Sequence, residues 1–216
     1  MKRCVVWFLL FFTCLGLRAE NELWMSFDFP TISKGAFSTR THTHWRFAED
    51  AYVRYYRLSQ KFFYKVDDTW TLGLHPVHNE SRRSENGEWS HRRRLDFEAN
   101  PKFKVGNMTV SMRNRFELRW FEGQGSELFN RARHRTALSW KGDWLPGLKS
   151  FGVSNEVFYD LDASRISGNW LMPVKLNFEP ADFFKGSLGY QIASSKRGNG
   201  DWSHKHVLAL SGSLVF

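Results

Sequence analysis

Between residues 108 and 121 the chain changes character at every step. Met108, Val110, Met112, Phe116, Leu118 and Trp120 stand at even positions, interrupted by Asn114. Thr109, Ser111, Arg113, Arg115, Glu117 and Arg119 stand at odd ones, closed by Phe121. A β-strand points successive side chains to opposite faces, so a period of two predicts one long strand with an apolar and a charged face. A helix would scatter both sets around its circumference.

The register recurs. Ala132, Leu138 and Trp140 alternate with Arg131, Arg133, Arg135 and Ser139. Phe151, Val153, Val157 and Tyr159 alternate with Ser154, Glu156 and Asp160. Further on, Trp170, Met172, Val174, Leu176 and Phe178 oppose Lys175, Asn177 and Glu179, and Phe184, Leu188, Tyr190 and Ile192 oppose Lys185, Ser187, Gln191 and Ser195. The last strand sets Leu208, Leu210, Leu214 and Phe216 against Lys205, Ser211 and Ser213. Eight strands are expected from Trp70 onward. Three more candidates lie at 23–29, 36–47 and 52–66, the last with a candidate break at Ser59-Gln60.

Connections alternate too. Short turns fall near Asp67-Asp68, Gly106-Asn107, 143–147 and Pro180, and longer polar loops near 79–88, 122–127, 162–168 and 196–201. Short turns at one end and long loops at the other describe an up-and-down antiparallel barrel, and a preference for even strand numbers sets the expectation at ten or twelve. The fold class is all-β, a transmembrane β-barrel of ten to twelve strands.

Composition narrows the setting. The 216 residues carry 31 Lys+Arg against 22 Asp+Glu, a net charge of +9, with 17% aromatic residues and a mean hydropathy of −0.49. So many aromatics exclude a disordered chain. Past residue 17 no stretch approaches the roughly 18 unbroken apolar residues of a membrane helix.

Residues 1–19 read as a secretory signal peptide: Met1-Lys2-Arg3, an apolar run from Cys4 to Leu17 broken by Thr13, and a small residue at Ala19 before Glu20. The barrel domain is then 20–216. Cys4 and Cys14 leave with the leader, so the mature chain has neither a disulfide nor a cysteine metal site. Loss of Lys2, Arg3 and Arg18 lowers the charge from +9 to +6.

A soluble barrel of lipocalin type buries its apolar face, whereas a membrane barrel turns it to lipid. The strands exceed the usual five or six residues of soluble domains. Trp24, Trp45, Trp70, Trp89, Trp120, Trp140, Trp170 and Trp202 fall near strand ends, where interfacial girdles place such rings. Leu208, Leu210, Leu214 and the terminal Phe216 share one face and resemble the C-terminal signal read by the barrel-assembly machinery. These features predict the bacterial outer membrane, with outer-membrane lipid and lipopolysaccharide as neighbours.

With charges turned inward, the lumen ladder comprises Arg92, Arg94, Asp96, Glu98, Arg113, Arg115, Glu117, Arg119, Arg131, Arg133, Arg135, Glu156 and Asp160. Lys175, Lys185, Lys205 and Glu179 extend it, leaving a surplus of five positive charges. One consequence is an ion-pair network that stiffens the wall. The other is attraction of small anionic solutes or of phosphates at the rim.

Arginines at alternate positions in Met112–Trp120 and Asn130–Arg135, after His91-Arg92-Arg93 and before Asn155-Glu156-Val157-Phe158, resemble the bacterial family known as domain of unknown function 2490, of predicted outer-membrane barrels. The resemblance runs from about Leu23 to Phe216. It implies an outer-membrane location and a barrel fold, and it brings no established activity and no catalytic residue.

Outer-membrane lipid hydrolases resemble one another in a His-x-Ser pair, which a strand places on one face; this chain has none. His78-Asn79-Glu80-Ser81 is the nearest substitute, and its spacing puts His78 and Ser81 on opposite faces. His42 and His44 share a face with Arg40 and Arg46, whose charges oppose a metal dication, so hydrogen-bonded histidines are expected there. His204 and His206 fall on the lipid-side set. The glycines of Gly123-Gln124-Gly125 and Gly198-Asn199-Gly200 lack the strand–helix context of a phosphate loop. The run Arg92-Arg93-Arg94 lies on a two-faced strand of an exported chain, which argues against nucleic acid. The resulting expectation is a small pore or envelope-structural protein without catalytic residues, metal or cofactor. The alternatives are a lipid hydrolase and a soluble periplasmic binding barrel.

Overall fold

The computed structural model describes residues 21–125, 127–196 and 199–215, so the expected leader 1–19 and Phe216 lie outside the described residues. The chain forms β1 (Asn21–Lys34), β2 (Phe37–Phe47), β3 (Val53–Lys65), β4 (Trp70–Ser81), β5 (Ser90–Val105) and β6 (Met108–Phe121). It continues through β7 (Phe129–Leu145), β8 (Leu148–Asp160), β9 (Arg165–Ala181), β10 (Phe184–Lys196) and β11 (Trp202–Leu214). Each strand pairs with its neighbours in sequence, and β1 closes the barrel against β11.

Eight strands follow Trp70, as the alternation predicts, and three precede it. β3 runs unbroken through Ser59-Gln60, in one register with β4 from Tyr55↔Ser81 to Lys65↔Thr71. The described residues form eleven strands, within the expected ten to twelve, but an odd number where an even one was favoured. In an odd meander the first and last strands run the same way, so β1 and β11 must close in parallel, from Asn21↔His206 to Asp28↔Ser213. Parallel pairing is slightly weaker per residue than antiparallel. Here a 2.6 Å ion pair between Lys205 and Glu22 crosses the seam, and Trp24, Ala193 and Val207 pack behind it.

Tight connections gather at one end: Gly35-Ala36, Gly106-Asn107, Pro146-Gly147 and Asp182-Phe183. Gly106 has φ +57°, the left-handed conformation that a two-residue hairpin turn demands. The opposite end carries the longer loops, including 82–89 and the segment between β6 and β7.

The two faces divide as the alternation requires. Leu72, Leu74, Phe97, Phe103, Phe116 and Val174 point outward and are each more than 40% exposed or close to it. Arg94, Asp96, Glu98, Arg115, Glu117, Arg133 and Glu156 point inward and are buried. Apolar surface is outside and charge is inside.

β9 departs from the expected register. Ser154 pairs with Met172 but Gly152 pairs with Lys175, and a matching shift appears against β10 between Tyr190 and Ile192. One extra residue therefore sits in β9 beside Pro173. Proline cannot donate to a ladder and is tolerated in sheets at such bulges. Below the bulge Val174, Leu176 and Phe178 face out, as expected. Above it the set inverts, so Trp170 faces inward, with ring centroids 4.9 Å from Trp24 and 4.6 Å from Phe158. Trp24 is itself 5% exposed. Trp24 and Trp170 thus belong to the interior and not to a girdle.

Candidate functional site in the barrel lumen

Most ladder residues of β5 to β8 join in ion pairs along one wall. Antiparallel pairing sets Glu98 opposite Arg115, Glu117 opposite Arg131 and Glu156 opposite Arg135. Diagonal neighbours two residues away on the same face lie within reach of a long guanidinium. Arg115 donates from Nε to Glu98 at 2.7 Å and lies 3.2 Å from Asp96. Arg131 donates from Nε to Glu117 at 2.7 Å. Arg133 reaches Glu117 and Glu156, each at 2.9 Å. Arg113 reaches Glu156 at 2.7 Å, Arg94 donates to Asp96 at 3.0 Å, and Arg119 donates to Asp160 at 3.3 Å. His75, fully buried, adds a 3.1 Å contact to Glu98 from β4. Guanidinium forks suit this lattice because each offers several donors in a fixed plane.

A second, smaller set lines the opposite side. Glu22 receives Arg54 at 2.7 Å, Lys205 at 2.6 Å and the Trp24 indole N–H at 2.7 Å. Asp28 receives Lys61 at 2.9 Å and faces His42 Nδ1 at 3.2 Å. His44 Nε2 accepts a hydrogen bond from Arg46 Nε at 3.1 Å. The Arg46 guanidinium lies 3.9 Å from the Trp24 ring centre and 4.4 Å from that of Tyr55. Its partners are aromatic faces, which attract a cation through the ring quadrupole. The sequence places His42, His44, Arg40 and Arg46 on one inward face. It does not single out Arg57 and Lys61, because Arg54, Tyr56 and Gln60 blur the period of β3.

Between the two walls lies a cavity of about 540 Å³. Arg57, Arg92, Arg135 and Lys175 line it, and among the described residues none of the four has a carboxylate within ion-pair distance. Arg57 and Arg135 each bury an Nε that has no hydrogen-bond partner. Arg92 stacks its guanidinium 5.1 Å from the Phe121 ring centre. Cations without a carboxylate partner thus face the cavity from β3, β5, β7 and β9, with Arg46 of β2 beside them. Lys185 and Lys205 are not among them, being paired with Glu179 at 3.1 Å and with Glu22. A buried guanidinium with an unused N–H is costly unless an anion supplies the acceptor.

Other expected positions fall as follows. Leu208, Leu210 and Leu214 lie on the outward face of β11, and Phe216 lies outside the described residues. His204 and His206 share that outward face, bonded to Ser194 at 2.9 Å and to the Tyr190 hydroxyl respectively. His78 bonds Glu80 at 2.9 Å, but β4 alternation turns Ser81 to the other face, so no Ser–His pair assembles there. Gly123 and Gly125 have positive φ and turn the β6–β7 loop.

No curated protein matches the chain. A family model does match, over residues 21–204, which takes in every strand from β1 to β10 and the whole arginine wall. The chain belongs to the family described as "Protein of unknown function (DUF2490)".

Proposed function

We propose that this chain is an outer-membrane β-barrel that admits small anions to its lumen. The observation that carries the reading is the inversion of the barrel: apolar side chains outside, buried ion pairs inside. A soluble barrel has the opposite arrangement, and water would be a poor solvent for an outer belt of Leu72, Leu74, Phe97 and Phe116. Lipid is a good one. Strands of 11 to 17 residues exceed the 9–11 or so that a tilted span requires.

The lumen supports the second half of the reading. The Arg–Glu lattice is a rigid, nearly neutralised wall. Arg57, Arg92, Arg135 and Lys175 face the cavity beside it and attract anions while excluding cations. A phosphate, carboxylate or chloride would satisfy the unused guanidinium N–H groups, and the lattice would keep the cavity small. No comparable support exists for lipid hydrolysis, since Ser81 is turned away from His78 and Glu80.

Two measurements test this in sequence. Unboiled, membrane-extracted protein is expected to migrate differently from boiled protein on a gel, as closed barrels resist detergent. Reconstituted into planar bilayers, it is expected to pass anions in preference to cations under a salt gradient. Recovery as free periplasmic protein with no heat shift would refute the membrane reading. A folded barrel with no anion preference would refute the lumen reading alone.

A further inference from the structure

Outside the lumen, at the long-loop end of β4 and β5, three metal-ligating side chains converge. β4 alternation places His78 and Glu80 on the same outward face, and the β4–β5 ladder sets His91 directly across from Glu80. Glu80 Oε1 lies 2.9 Å from His78 Nε2 and 3.3 Å from His91 Nδ1. One ligand atom from each of the three residues fits within a 4.8 Å span. Four ligands held tetrahedrally about 2.0–2.1 Å from zinc stand roughly 3.3 Å from one another. The spacing between Glu80 and either histidine is already within a few tenths of an ångström of that value.

We infer that His78, Glu80 and His91 form an open divalent-metal site of the zinc class, with two imidazoles, one carboxylate and one position left to solvent. Imidazole with carboxylate is the donor set that borderline transition metals take, in contrast to the all-oxygen sets of calcium and magnesium. The His78 and His91 rings lie nearly parallel, 22° apart with centroids 6.1 Å apart, so both can turn a nitrogen to an ion held at Glu80. The backbone N–H of His91 donates to the Glu122 carboxylate at 3.1 Å, which ties the start of β5 to the β6–β7 loop. All three side chains are 30% to 47% exposed, so an ion can enter from outside without any opening of the barrel. Arg93, directly across from His78, adds positive charge to the same face. The site therefore binds less tightly than a closed four-ligand centre.

The test uses the full chain, folded in detergent micelles and carrying no polyhistidine tag, with Zn²⁺ measured by equilibrium dialysis. One Zn²⁺ per chain is expected, and a soluble chelator should remove it. His91→Ala and Glu80→Gln are each expected to weaken binding by at least about tenfold, the lower end of what even outer-sphere changes cost. A His204→Ala/His206→Ala chain should bind as the unaltered protein does, which separates this site from adventitious surface histidines. Cobalt substitution should add a visible band of tetrahedral character that the His91→Ala chain lacks. The heat shift on gels confirms that each variant is folded. Failure of the unaltered chain to bind Zn²⁺ stoichiometrically, or equal binding by a folded His78→Ala/His91→Ala chain, would overturn the inference. The anion preference of the lumen is independent of either result.

Discussion

Glu117 Oε1 lies 2.9 Å from Nη1 of Arg133 across the β6–β7 pair, and the two side chains are 0% and 5% exposed. That carboxylate also serves Arg131 and lies 3.4 Å from Arg94. A single anion thus joins guanidinium groups from β5 and β7 to β6, and the wall's cohesion depends on it more than on any one arginine.

Glu117→Ala should therefore be severe. It leaves Arg94, Arg115, Arg131 and Arg133 short of a shared acceptor, and removing one partner of a buried ion pair typically costs about 3–5 kcal/mol. The expected result is a large drop in the urea midpoint of the detergent-folded barrel. An unchanged midpoint would mean that the network is decoration.

Arg57→Gln combined with Arg135→Gln and Lys175→Gln should do the reverse for stability and remove anion preference. These cations are half-buried and have no carboxylate in ion-pair distance, so neutralising them relieves an uncompensated charge. The urea midpoint should stay level or rise while the reversal potential under a salt gradient moves towards zero. Arg113, Arg115 and Arg133 are the wrong residues for such an experiment, since each of them holds a buried carboxylate.

Phe97→Arg distinguishes lipid from water around the barrel. Phe97 is 44% exposed on the outward face of β5, between the two ends of the strand. In a bilayer an arginine near mid-height costs about 2–4 kcal/mol; against water it would be almost neutral. Unfolding measured in liposomes should show the penalty, and the absence of one would point to a soluble barrel.

Gly152→Ala tests the close approach of β8 to β7. A Cβ at Gly152 would meet the Leu138 carbonyl oxygen at 2.7 Å, a backbone atom held in the ladder. Overpacking of this kind typically costs about 1–3 kcal/mol. A lower gel-shift temperature is the expected readout.

The inward and outward sets of β6, of β7 up to Lys141 and of β8 from Ser150 to Asp160 were legible in the sequence because nothing interrupts their period of two there. β9 was not, because one residue beside Pro173 inverts the side chains from Met172 to Gly168. An extra residue leaves hydrophobicity unchanged: Trp170 and Met172 look like continuations of Val174 and Leu176 until pairing with β8 and β10 is known. β3 was obscure for a related reason, since its outward face carries Tyr56 and Gln60 among the apolar residues.

The lumen was legible as a face and not as a site. Arg133 and Arg135 are two residues apart and chemically identical. One holds Glu117 and Glu156 while the other leaves an Nε unused beside the cavity. Which arginine receives a carboxylate depends on stagger between strands, a property of neighbours and not of position in a strand.

The sequence by itself determined the strands, the two-faced pattern and the sign of the interior charge, because these follow from a local period and from composition. Only the tertiary structure decided that the eleven described strands close through a parallel seam, that Arg57, Arg92, Arg135 and Lys175 face the cavity with no carboxylate in ion-pair distance, and that His91 meets His78 and Glu80. Each of these needs a register between separate strands, and register is set by how the whole barrel closes.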